Sequence, residues 1–201
     1  QAVGWVQRRV RESEERIIYQ IMVDRFRGDG GLALDDPPNP GARAGGTLDG
    51  VRSAIEDGWL DRLGVTTLWL SPVYLNPDEA RPGVDGNLYE GYHGYWPVDA
   101  RGVEPRLGGE EAFEGLVDLA HSRGIEVVLD VVPNHLYETN PRIPVLETSD
   151  GLHQSDPLCV CGTPNCPWGG NIEYCWFTPY LPDLNHQNPE VLQMVVDDVV
   201  W

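Results

Sequence analysis

The sequence predicts an α/β fold on a parallel sheet. Three observations predict it: short continuous apolar runs, helix-spaced apolar faces between them, and a glycine closing each of the first two helices. Arg16–Val23 is the first strand, Val65–Leu70 the second and Ile125–Val132 the third. Strands buried on both faces read as unbroken apolar runs, so all three are expected to be fully buried. Leu48, Val51, Ile55, Trp59 and Leu63 share one face of a helix that Gly64 ends. Phe113, Leu116, Val117 and Ala120 do the same for a second helix, stopped at Gly124. Asn188 is an N-cap with Pro189 in the first turn behind it, and Leu192, Val195, Val196 and Val199 give that third helix an apolar stripe.

Two connections are long. Residues 72–109 separate the second strand from its helix, and residues 136–187 follow the third strand. Long structured segments after strands usually carry function. The boundaries that follow are 1–15 as a linker or upstream helix, 16–135 as the α/β body, 136–187 as a loop-rich insertion and 188–201 as the last helix.

Composition narrows the function classes. Hydrophobic residues make up 41% of 201, which suits a globular chain with a sizeable core. The formal charge is −18, with no Lys/Arg-rich run, which argues against a nucleic-acid partner and fits a neutral substrate. No apolar stretch reaches the roughly 18 residues of a membrane span. The chain opens at Gln1 with a charged segment and no signal-peptide pattern. All four cysteines, Cys159, Cys161, Cys166 and Cys175, lie in one short segment of the insertion. Two disulfides are the favoured reading, as in an exported protein. A four-thiolate zinc site is the alternative, although the paired Cys-x2-Cys knuckles usual for zinc are absent.

Two motifs carry chemistry. Gly91-Tyr92-His93-Gly94-Tyr95-Trp96-Pro97-Val98-Asp99 combines rings that stack on sugar C–H faces with groups that bond hydroxyls. The plainer reading is that these rings cap the core. Asp130-Val-Val-Pro-Asn134-His135 ends the third strand, where parallel α/β enzymes keep reactive groups. Leu181-Pro-Asp183-Leu-Asn-His186 closes the insertion.

Together with Ile18-Tyr-Gln-Ile-Met-Val-Asp-Arg-Phe26, Asp57-Gly-Trp-Leu-Asp-Arg-Leu-Gly-Val65 and Leu68-Trp-Leu-Ser-Pro72, these motifs resemble the alpha-amylase family of glycoside hydrolases. The cyclodextrin glucanotransferase and maltogenic branch is the most similar. The resemblance implies the N-terminal part of a TIM (β/α)8 barrel, its first three strands, with a B-type subdomain after strand three. It implies action on α-glucosidic bonds of starch-like glucans with retention, in a secreted or periplasmic enzyme that hydrolyses or transfers. By the same resemblance Tyr95 stacks on the sugar beside the scissile bond, with His93 and Trp96 next to it, and His135 donates to that sugar's hydroxyls. Asn134 and Asp183 are implied to share one structural calcium ion, clipping the insertion to the barrel; amide and carboxylate oxygens suit that hard cation. A second calcium near Gly45-Gly46 is not expected, because Thr47 follows where relatives carry an acidic residue.

Retaining glycosidases need two carboxyl groups about 5 Å apart across the bond. The family places them, and a third Asp that binds the sugar, after strands four, five and seven, which residues 1–201 do not include. The resemblance therefore implies no catalytic residue within this chain, and no activity from it alone. The rival is a stand-alone carbohydrate-binding or Cys-metal module without catalysis.

Overall fold

A computed structural model describes residues 16–83, 85–164, 166, 171 and 173–201. The segment 1–15 read as linker or helix lies outside the described residues. The main sheet consists of β1 (Ile18–Ile21), β2 (Thr67–Leu70) and β7 (Glu126–Leu129), all parallel, with β2 in the centre. Tyr19, Leu68 and Val127 stand in register, as do Ile21, Leu70 and Leu129. Each connection between consecutive strands carries a helix, which a parallel pairing requires.

Helix α1 (Leu48–Glu56) starts at Thr47, whose hydroxyl accepts from the Gly50 N–H at 3.0 Å and donates to Asp29 at 2.6 Å. The single helix read from Leu48 to Leu63 is two. Gly58, at φ 69°, breaks it, and the short α2 (Trp59–Arg62) follows. Helix α3 (Gly109–Ser122) precedes β7. Leu48, Val51, Ala54, Ile55, Leu116 and Ala120 close on Ile21, Leu68 and Leu70 in one apolar cluster. That cluster lies on one face of the sheet.

The opposite face differs from expectation. Trp69 and Val128 stand in one register row and are 38% and 48% exposed, and Ile18 is 55% exposed. That face mixes Ile18, Trp69 and Val128 with Gln20, Thr67 and Glu126, and among the described residues helices cover only the other face. The regular strands are also shorter than their apolar runs. β7 ends at Leu129, so Asp130–Val132 already lead away from the sheet.

The segment after β2 folds into two antiparallel pairs. β3 (Tyr74–Leu75) lies beside β6 (Asp99–Val103), and β4 (Arg81–Pro82) beside β5 (Leu88–Tyr89). The insertion after β7 contains α4 (Ile143–Thr148), which the loop-rich reading did not foresee. Isolated bridges join His135 to Asp183, Leu152 to Leu184 and Val160 to Trp176. Helix α5 (Pro189–Val200) is capped by Asn188, which accepts from the Glu190 N–H at 2.9 Å. Its packed side is Val191 with Met194 and Val195, set against Leu136, Leu146, Leu152 and Leu184. Of the predicted stripe only Val195 takes part. Leu192, Val196 and Val199 are 50%, 46% and 55% exposed. Arg142 next to α4 and Arg101 in β6 both bond Asp198 of α5.

Candidate active site at the strand ends

The C-terminal ends of the three parallel strands meet. Ser71 N–H donates to Ile21 O at 2.9 Å, Asp130 N–H to Leu70 O at 3.0 Å, and Val23 N–H to the Ser71 hydroxyl at 3.1 Å. Loops leaving these ends bring the aromatic stretch 91–99, Asn134-His135 and Asp183 into one neighbourhood.

The aromatic loop is held from below. Gly94, at φ 83°, lies so close to Pro72 that a Cβ would sit 2.1 Å from its carbonyl oxygen, so only glycine fits. The buried Asn76 accepts from the Trp96 N–H at 3.0 Å, and its own N–H donates to Glu104 at 3.0 Å. Glu104 is 2% exposed and takes Arg106 through both carboxylate oxygens. Burial alone would raise the Glu104 pKa. The Arg106 guanidinium and the Asn76 and Arg106 N–H groups outweigh burial and hold it below the usual value. Neither Asn76 nor Glu104 stood out in the sequence, since their roles depend on partners 20 and 28 positions away.

Tyr95 stacks on His93 at 5.7 Å between ring centroids, and its hydroxyl donates to Asp130 at 2.6 Å. Burial first, then that carboxylate, pushes the Tyr95 hydroxyl up to about 12. His93 Nδ1 accepts from the Tyr95 N–H at 2.9 Å, which places its proton on Nε2. Burial, then the cations Arg43 and Arg25, lowers His93 to about 4, so the ring is neutral at ordinary pH. Trp96 is only 7% exposed and belongs to a cluster with Tyr137 and Leu181. Its placement favours the core-capping role for that ring. His135 is buried, and its Nε2 lies 2.9 Å from the Tyr95 carbonyl. Burial lowers its pKa as well. A sugar hydroxyl would have to share or displace that bond.

Asn134 and Asp183 do come together. The Asn134 amide donates to one Asp183 oxygen at 2.7 Å, and the other oxygen meets His153 Nδ1 at 2.7 Å. Sequence reading missed His153, which sits 30 positions from its partner with no motif around it. Asp183 is 3% exposed, and burial raises its pKa despite these partners. An open cavity of about 260 Å³ adjoins the pair, lined also by His153, Glu173 and His186. A buried carboxylate short of positive charge beside an amide fits calcium. Turning the Asn134 amide would present its oxygen to the ion.

The expectation of two disulfides is corrected. Cys159 and Cys175 form one, at 2.07 Å, while Cys161 and Cys166 are unbonded and buried. Their sulfurs are 3.9 Å apart, too far for a bond.

Carboxylates at this end are individually engaged. Asp24 binds Arg25 and the Ala44 N–H, Asp99 the Arg101 N–H, and Asp130 the Tyr95 hydroxyl.

Residues 12–143 match the family model described as alpha amylase, catalytic domain. The chain belongs to the alpha-amylase family. A cyclomaltodextrin glucanotransferase of Geobacillus stearothermophilus is 33% identical, over 92% of this chain and 28% of that protein. Alpha-amylase 3 of Schizosaccharomyces pombe is 35% identical, over 92% of this chain and 33% of its own. Among solved structures, the alpha-amylase of Geobacillus thermoleovorans complexed with acarbose aligns with a TM-score of 0.72 at 30% identity, over 94% of this chain and 37% of that one. The chain thus spans about a third of the length of these relatives, and corresponds to part of their barrel region. Among the described residues no helix is long and apolar enough to cross a membrane.

Proposed function

We propose that residues 16–135 form the first three strands of a (β/α)8 barrel, with 136–187 as a B-type subdomain and 188–201 as the following barrel helix. The barrel belongs to an exported enzyme that hydrolyses or transfers α-glucosidic bonds of starch-like glucans, with retention. The carrying observation is the meeting, at three parallel strand ends, of the Tyr95–His93 stack with the Asn134–Asp183 pair. Active sites of such barrels lie at that end.

Tyr95 offers an aromatic face to a pyranose, and Asp130 fixes its orientation through the hydroxyl. Neutral His93 supports the ring from behind. His135 donates to the sugar beside the scissile bond, exchanging its bond to the Tyr95 carbonyl. Trp96 holds the loop to the Tyr137 and Leu181 cluster and shapes the cleft wall. Asn134 and Asp183 hold calcium, which supplies positive charge to the buried carboxylate and ties the insertion to β7. The bond-breaking carboxylate pair is not among these residues, because each carboxylate here already has a structural partner. The similarity to an alpha-amylase solved in complex with acarbose supports the substrate class.

Soluble starch is the test substrate. The intact gene product should turn it over, residues 1–201 alone should not, and Tyr95→Ala in the intact product should lower kcat/KM by at least tenfold. Unchanged kcat/KM and acarbose affinity in Tyr95→Ala would remove the sugar-stacking role. Turnover by residues 1–201 would show that the carboxylates have been misplaced.

A further inference from the structure

The cysteine segment is absorbed by none of the roles above. Among the described residues its apolar cluster consists of Cys161, Cys166 and Cys175, with Cys159 packed against them and no aliphatic side chain. The sulfurs of Cys159, Cys166 and Cys175 all lie within 4.8 Å of one another, and Cys161 is 3.9 Å from Cys166. Four sulfurs around one zinc, each at about 2.3 Å, stand roughly 3.8 Å apart along the tetrahedron's edges. The Cys161–Cys166 separation matches that edge, while Cys161 stands outside the group of three and the disulfide draws Cys159 and Cys175 together to 2.07 Å.

The backbone supports convergence. Val160 pairs with Trp176, with Cys161 N–H donating to Trp176 O at 2.8 Å and Trp176 N–H to Cys159 O at 3.0 Å. That places Cys159 and Cys161, which flank the bridged Val160, beside the residue that follows Cys175. A tight turn brings back the fourth sulfur: Gly162, at φ 83°, donates to Cys166 O at 3.1 Å, and Cys166 N–H donates to Thr163 O at 3.0 Å. Cys166 and Cys175 are 0% and 2% exposed. The single disulfide leaves two thiols buried side by side, Cys161 Sγ donating to the Cys175 carbonyl at 3.7 Å and Cys166 Sγ to Cys161 Sγ at 3.9 Å.

We propose that Cys159, Cys161, Cys166 and Cys175 form a four-thiolate zinc site that folds the outer part of the insertion. The Cys159–Cys175 disulfide is the oxidised form of the same cluster. Zinc loads the reduced chain: four thiols release four protons and leave one Zn²⁺ bound by four thiolates. From the disulfide form, a dithiol reductant supplies two electrons and two protons and ends as its own cyclic disulfide. The zinc site is separate from the Asn134–Asp183 pair and does not depend on the sugar reading, because it needs no glucan and uses sulfur where calcium uses oxygen.

The test uses the intact protein, purified under a dithiol reductant without chelator and then freed of excess metal. One zinc per chain is expected, with all four thiols unreactive until a chelator is added. Replacement by cobalt(II) should give the intense visible bands of a tetrahedral thiolate site. Cys166→Ser should lose stoichiometric zinc, while Cys166→His, which keeps a ligand, should retain metal and shift the cobalt bands. A far-UV circular dichroism spectrum like the wild type's in either variant shows that the rest of the chain is folded. A reduced wild-type protein without zinc, or one whose Cys161 and Cys166 react freely while metal is bound, overturns the proposal.

Discussion

The body 16–135 and the insertion 136–187 are held together by different means. In the body, one cluster of buried aliphatic side chains joins three strands to two helices. The insertion divides its packing among a small aliphatic group around Leu152 and Leu184, an aromatic group shared with Trp96, and the cysteines. Its junction with the body is mixed: the Trp96–Tyr137–Leu181 aromatic group is joined by the hydrogen bond from Asn134 to Asp183, which His153 holds from within the insertion. Apolar burial is additive and insensitive to solution conditions near neutrality, whereas small polar and sulfur clips respond to metal, pH and redox state. Body and insertion should therefore fail separately.

The largest effect belongs to the body. Leu68 is fully buried in the central strand. Leu68→Ala should cost about 2–5 kcal/mol through lost burial and the cavity left behind. Chemical denaturation of the intact protein measures this, and a loss well under 1 kcal/mol would show that the cluster is not what holds the strands.

Acid comes next, and acts at the site. His93 titrates near 6.5 when unfolded and near 4 when folded. Its depressed value means that the unfolded chain binds the proton first. Stability is therefore unaffected above pH 6.5, falls as pH drops from about 6.5 to 4, and levels off below. The fall amounts to at most about 3 kcal/mol. His135 shifts in the same direction and adds to it. In His93→Gln, melting temperatures across that window should flatten; an unchanged slope would assign the dependence elsewhere.

On the proposed calcium site, removing the ion should loosen the insertion and not the body. Chelation, or Asp183→Ala, should speed amide exchange in 136–187 by about tenfold, roughly 1.4 kcal/mol of local stability, and leave β1 and β2 protected. Equal loosening of both regions would contradict the contrast drawn between them. The smallest effect is at the α1 cap, where Thr47→Ala should cost about 1 kcal/mol by denaturation, against no change if water replaces the hydroxyl.

Much of the body was legible in the sequence, because runs such as Thr67–Leu70 and faces such as Val51–Ile55 encode their elements locally. What covers the second face of the sheet was not. Trp69 and Val128 are as apolar as their buried neighbours, and nothing local tells a covered side from an open one. The same ambiguity misassigned the packed stripe of α5, whose apolar residues surround most of the helix. The break at Gly58 had a turn signal, Asp57-Gly58, that the continuing apolar spacing overrode. At the site, Asn134 and Asp183 could be read from motifs. His153, Asn76 and Glu104 could not, since each acts through a partner distant in sequence.

The bridge between His135 and Asp183 brings the two ends of the insertion to one point on the body. Everything between them is a closed loop whose ends do not move when its length changes. Doubling such a loop costs only about 0.6 kcal/mol in closure entropy. Recombination could therefore exchange this stretch for a longer or shorter one while the strands beneath it keep their register. The stretch is a replaceable part, free to diversify without refolding the strands that carry it.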